Sequence, residues 1–172
     1  MKSAGSVMSG ITPLNRLEEK DAQSITSSGM DLSEKTRSAS FLQQDKNVLF
    51  ARSMSKEVQI MGMREALESV PEAKSHYGRA FSLLKRDFPE DTEGGYFIRV
   101  FKGREVALPV QACLFLKEQG FKQKVHNLII VEEGAKLYLI TGCSASHSAA
   151  EGFHLGISEF FIITECSYLL TY

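Results

Sequence analysis

The sequence has almost no net charge: 20 Lys and Arg stand against 21 Asp and Glu, a formal −1 at pH 7. So even a balance leaves no electrostatic footprint for nucleic acid or an anionic membrane surface, and neither is expected as a partner. No apolar run approaches the length needed to cross a bilayer, and the opening residues, MKSAGSVMSGITPLNRLEEKD, lack the continuous apolar core of a secretory signal. The expectation is a cytoplasmic protein. Cysteine is scarce too. Cys113, Cys143 and Cys166 are unevenly spaced, which in that compartment means thiols and not a disulfide framework. Residues 1–36 lack any apolar period and are rich in Ser, Thr, Gly and charge, so a flexible N-terminal segment is expected there.

What the chain does contain is enough apolar material for a core, 43% of 172 residues. Residues 37–93 read as an α+β region. Its first part has short apolar bursts (Phe41-Leu42, Val48-Leu49-Phe50, Val58, Ile60) suited to short strands. Two helices are expected next, Met63–Val70 and Pro71–Leu84, with Pro71 placed where its missing N–H costs little. A linker through Phe88-Pro89 to Gly94-Gly95 ends this part. Residues 94–163 then change to strand: YFIRVF, VALPVQACLFL, LIIV and LYLI are rich in branched and aromatic residues and broken by Gly turns. The phrase Gly103-Arg-Glu-Val-Ala-Leu recurs as Gly134-Ala-Lys-Leu-Tyr-Leu, 134 − 103 = 31 residues on. That interval suggests coils of a solenoid. One further period falls at Glu165, where no Gly turn stands, and residues 164–172 read as an atypical tail.

The densest group of reactive side chains follows the second strand run: Thr141, Cys143, Ser144, Ser146, His147 and His154. A thiol with a pKa of about 8.5 is only a few per cent ionised at neutral pH, so Cys143 needs a neighbour to become a nucleophile. His147, His154 and Lys136 are the candidates for tuning its thiolate. Cys143, His147 and His154 are a possible thiolate–imidazole metal set, although their spacing matches no closed structural zinc pattern. Elsewhere the expectations are plainer. Cys113 packs inertly in an apolar strand, and Glu132-Glu133 form a solvated corner. Arg99 projects outward from its strand, His126 sits at a corner, and His76 is solvated on a helix.

Several phrases resemble the SufB/SufD family of iron–sulfur cluster assembly proteins, its short archaeal and bacterial members more than the long ones. They are RSASFLQQDKNVLFA, GGYFIRVFKGREVALPVQACLFL, VHNLIIVEEGAKLYLITGC and FHLGISEFFI, and together they cover roughly residues 37–162. The resemblance implies a mainly β fold with an N-terminal α-helical part, entered at the first coils of a right-handed parallel β-helix. It implies a scaffold and not an enzyme, working with a SufC-like ATPase and a SufB/SufD partner, receiving sulfur and carrying an iron–sulfur cluster transiently. No GxxxxGK[ST] loop is present, which fits ATP hydrolysis belonging to the partner. The family's sulfur-entry cysteine lies in a GCSA phrase, which falls here on Gly142-Cys143-Ser144-Ala145. The ending ITECSYLLTY resembles nothing in the family, so a C-terminally truncated member is expected, with an exposed end coil prone to self-association. Two other readings stand beside this one: a β-solenoid interaction module or fragment whose cysteines are structural, and a thiol-dependent enzyme using Cys143 with His147 or His154 as base.

Overall fold

The structure, a computed structural model, describes residues 17–33, 35–89, 91–163 and 167–171. Two sheets face each other across a shared core. One has the order β2-β1-β5-β7-β9 and the other β3-β4-β6-β8. The strands are β1 (Ala39–Gln44), β2 (Asn47–Ser53), β3 (Val58–Gly62), β4 (Tyr96–Val100), β5 (Val110–Leu116), β6 (Lys122–Val131), β7 (Lys136–Ala145), β8 (Phe153–Ile162) and β9 (Ser167–Thr171). Pairs β1–β2 and β3–β4 are antiparallel, and all other pairs are parallel. From β4 onward the chain alternates between the sheets, and from β6 onward each strand lies parallel to the one two before it. Phe97 lies opposite Leu128, Lys122 opposite Phe153 and Lys136 opposite Ser167. The 31-residue interval read from the Gly turns recurs in hydrogen-bonded pairs such as Tyr96 N–H to Asn127 Oδ1 and His154 to Gln123, each 31 apart.

Both faces of the sheets are covered, which explains why β6 reads as a nearly continuous apolar run and not as an alternation. Its residues Val125, Ile129 and Val131 point into the core between the sheets, while Leu128 and Ile130 point the other way. That outer face is covered by Met63 and Ala66 of α2 (Met63–Ser69) and Ala73 of α3 (Pro71–His76). The outer face of the β1-β5-β7 sheet carries Leu42, Cys113 and Phe115 beneath Ile25 and Met30.

Four expectations change here. The flexible N-terminal segment does not hold for its second half: Glu19–Ser27 form helix α1, fixed by the fully buried Ile25. Residues 1–16 lie outside the described residues. The helix expected over residues 71–84 breaks in two, α3 and α4 (Arg79–Leu83), because Gly78 adopts φ 73°. The region 37–93 shares both sheets and the core with 94–163, through the β1–β5 and β3–β4 pairings. Finally, part of the tail is regular. Ser167–Thr171 pair in parallel with β7 without needing a Gly turn, whereas Cys166 lies outside the described residues.

Candidate functional site

Along β7 the side chains of Leu137 and Leu139 fill the core, and the same face continues to Thr141 and Cys143. Opposite them, β8 presents Phe160 to the core, then Ser158, Gly156 and His154 on the same face. Leucine and phenylalanine fill the space between the sheets, but threonine, cysteine, serine and glycine do not. The result is a cavity of about 460 Å3 lined by Cys143, Thr141, Leu114, Asn127, His154 and Ser158, among others.

The sequence reading placed Cys143, His147 and His154 together. The structure brings Cys143 and His154 to one cavity and leaves His147 exposed on the turn between β7 and β8. Among the described residues no three His, Cys, Asp or Glu side chains converge to hold a metal ion, so the three-ligand set is not formed. Cys143 is open to solvent, yet the cavity walls raise its thiol pKa by burial. Cys113 is different in kind. It is buried on the opposite face of the same sheet, its thiol pushed up to about 12 chiefly by burial. The two side chains point to opposite faces, which rules out a disulfide between them without backbone movement.

His154 is held by a polar ladder that the sequence reading missed. Its Nδ1 lies 2.9 Å from the Gln123 Oε1, and the Gln123 amide donates to the Asp45 carbonyl at 2.6 Å. Gln43 donates to the same carbonyl at 2.8 Å while accepting from the Gly95 N–H at 2.9 Å. Asp45 occupies the β1–β2 turn with φ 49°, and its carboxylate accepts the Lys117 N–H at 2.9 Å. An Asp tolerates that left-handed turn position better than most side chains. The available signal was the 31-residue separation of Gln123 from His154, the same interval that separates the Gly turns.

Behind the sheet lies a second buried histidine. His126 is not a corner residue: it is fully buried in β6, and its Nε2–H donates to Glu159 at 2.6 Å. Glu159 also accepts the N–H groups of Gly78 and Ala80, both at 2.7 Å, where α3 gives way to α4. Tyr77 stacks on the imidazole at 4.4 Å, with Phe88 at 5.1 Å. Two surface expectations are also corrected, and a third holds. His76 packs edge-on against Phe161 at 4.7 Å. Of the Glu132-Glu133 corner, Glu132 is largely shielded beside Arg99, whereas Glu133 is exposed as expected. Arg99, outward as expected, lies between Glu132 at 2.5 Å and Glu72 at 2.8 Å.

Burial lowers the pKa of both His126 and His154, overriding the opposing pull of Glu159 on His126. The buried Nδ1 of His126 has no hydrogen-bond partner among the described residues, so a second proton there finds no acceptor among them. A histidine whose folded pKa lies below its unfolded value of about 6.5 binds fewer protons in the native state. Its stabilising contribution is therefore present above about pH 6.5 and is lost as pH falls below it. Urea unfolding between about pH 7 and 5 is expected to show falling stability, His126 alone contributing at most about 1.4 kcal/mol per pH unit. A midpoint flat across that range contradicts neutral burial of His126.

No protein-family model matches the chain. It is 38% identical over 149 residues to an iron–sulfur cluster assembly SufBD family protein of Archaeoglobus fulgidus, covering 83% of this chain and 39% of that protein. A SufBD family protein of Methanothermobacter thermautotrophicus is 31% identical over 152 residues, 84% of this chain and 37% of its own length. The iron–sulfur cluster assembly protein SufB of Bacillus subtilis is 33% identical over 69 residues, 40% of this chain and 15% of that protein. The chain spans under two fifths of the length of the curated SufBD relatives it matches over most of its own length. Among the described residues no helix is long and apolar enough to cross a membrane.

Proposed function

Because the chain belongs to the SufBD family of iron–sulfur cluster assembly proteins, we propose that it acts as part of an assembly scaffold that accepts sulfur on Cys143. In this reading its alternating strands are the first coils of a right-handed parallel β-helix, an arrangement supported by the recurring 31-residue offset. Its partners are a SufC-type ATPase and a second SufB/SufD-like subunit, and ATP hydrolysis belongs to the former. The cluster is cargo. Iron–sulfur clusters are held mainly by sets of cysteine thiolates, whereas the described residues lining this cavity offer one thiol and one imidazole, so in this reading further ligands come from elsewhere in the assembly.

The observation that carries the proposal is the position of Cys143: on the core-facing side of β7, yet opening into a cavity instead of packing against apolar neighbours. A purely structural cysteine is expected to resemble Cys113, which does pack that way. The cavity is also large enough to receive a small persulfide. Incubation of the protein with cysteine persulfide, followed by mass spectrometric mapping, is expected to find added sulfur on Cys143. The addition should be abolished in Cys143→Ser and retained in Cys113→Ser. Sulfur uptake that is unchanged in Cys143→Ser moves the interaction-module reading ahead.

A further inference from the structure

We propose that Gln123 is a positioning residue for Cys143: its amide, set by the Asp45 carbonyl, holds His154 as the tautomer whose Nε2 lone pair is available to the Cys143 thiol across the cavity they share. The inference rests on the sulfur-acceptor reading and adds to it the origin of the base.

The tautomer follows from donor and acceptor chemistry. The Asp45 carbonyl only accepts, so the Gln123 group 2.6 Å from it is the NH2. The reversed amide would set two oxygens against each other. Gln123 Oε1 is thereby aimed at His154, and the ring nitrogen 2.9 Å away must donate. Gln43 strengthens the assignment, since its own amide is fixed in the same sense on the same carbonyl by the Gly95 N–H. Burial disfavours the imidazolium. A neutral ring with its proton on Nδ1 has a basic Nε2, and Nε2 has no hydrogen-bond partner among the described residues.

The opposite side of the ring is just as constrained. A Cβ on Gly156 would lie 2.9 Å from His154 Nε2, so glycine keeps that nitrogen open. No Lys, Arg, Asp or Glu is among the residues lining the cavity, whose titratable members are Cys143, His154 and Tyr96. Burial of both groups opposes a resting thiolate–imidazolium pair, but no cation lines the cavity, and His154 Nε2 is the one basic nitrogen in its lining to which the Cys143 proton can pass. In the step itself, the proton passes from Cys143 Sγ to His154 Nε2. The thiolate then attacks the outer sulfur of a donor persulfide, forming one S–S bond and breaking the donor's. The departing donor thiolate recovers the proton, which leaves a Cys143 persulfide and a donor thiol.

The test is the rate at which iodoacetamide alkylates Cys143 in the folded protein, mapped by mass spectrometry between about pH 6 and 9. Gln123→Leu and Gly156→Ala act on opposite sides of the ring. Each is expected to slow alkylation at neutral pH by about tenfold or more and to replace the histidine-dependent limb with a single thiol-like rise, while circular dichroism stays that of the folded protein. An unchanged rate and profile in either folded variant overturns the proposal, as does cysteine persulfide transfer at the parental rate in Gln123→Leu. A parental protein that takes up no sulfur on Cys143, but whose alkylation still depends on Gln123 and Gly156, removes the sulfur-acceptor reading and leaves the positioning role standing.

Discussion

Glu159→Ala is expected to cost about 3–5 kcal/mol, because it removes the one acceptor of several buried donors at about 1–3 kcal/mol each. The carboxylate is almost fully buried and accepts three donors: the Nε2–H of His126 and the N–H groups of Gly78 and Ala80. Alanine leaves all three without an acceptor and opens a cavity under α4. Glu159→Gln separates charge from shape. Its carbonyl still serves His126, but its NH2 then faces a backbone N–H, so about 1–3 kcal/mol is expected to be lost. Urea denaturation monitored by circular dichroism provides the ranking, and hydrogen exchange at Gly78 and Ala80 provides the location. Equal midpoints for the parent and both variants would sink the idea that this carboxylate joins β8 to the α3–α4 pair.

Gly95→Ala is expected to leave little soluble folded protein, a loss above about 4 kcal/mol. Gly95 has φ 105°, where L side chains are strained. A Cβ there would also overlap the His126 carbonyl and lie 2.9 Å from Asn127 Oδ1. Neither neighbour is free to move: His126 is held within β6, and Asn127 Oδ1 accepts the Tyr96 N–H at 3.2 Å. Gly120→Ala is the control. Its φ is 67°, but nothing lies within 4 Å of the added methyl, so only the left-handed backbone term of about 1–2 kcal/mol applies. Comparable soluble yields for the two variants would show that crowding at Gly95 is unimportant.

The strands were legible because local composition and tertiary environment agree in them. LIIV and LYLI are branched, short and bounded by Gly turns, and each lies in a sheet. The helix expected over residues 71–84 failed on a non-local interaction, because Glu159 draws off the Gly78 and Ala80 N–H groups. Helix α1 was missed because Ile25 is its one buried apolar residue, beside the buried Asp21, and a single apolar position makes no period. At the site, Cys143 and His154 line one cavity, whereas His147, which spacing alone also admitted, stands outside it. His126 and Gln123 were passed over because a polar residue in a strand signals its burial only through its partners, and those are Glu159 and Asp45, far away in sequence.

The pairing of β1 with β5 sets an order of events during synthesis. Ser40 and Gln111, hydrogen-bonded across these strands, are 71 residues apart. At about 5–20 residues per second, the ribosome delivers β5 on the order of 4–14 s after β1. Through that interval the β1–β2 hairpin presents an unsatisfied strand edge of the kind that recruits other chains. Later strands wait only for the 31-residue interval seen in pairs such as Gln123–His154, roughly 2–6 s at the same rate. The nascent chain is thus most vulnerable before its first parallel pairing, and each strand added afterwards meets an edge already in place.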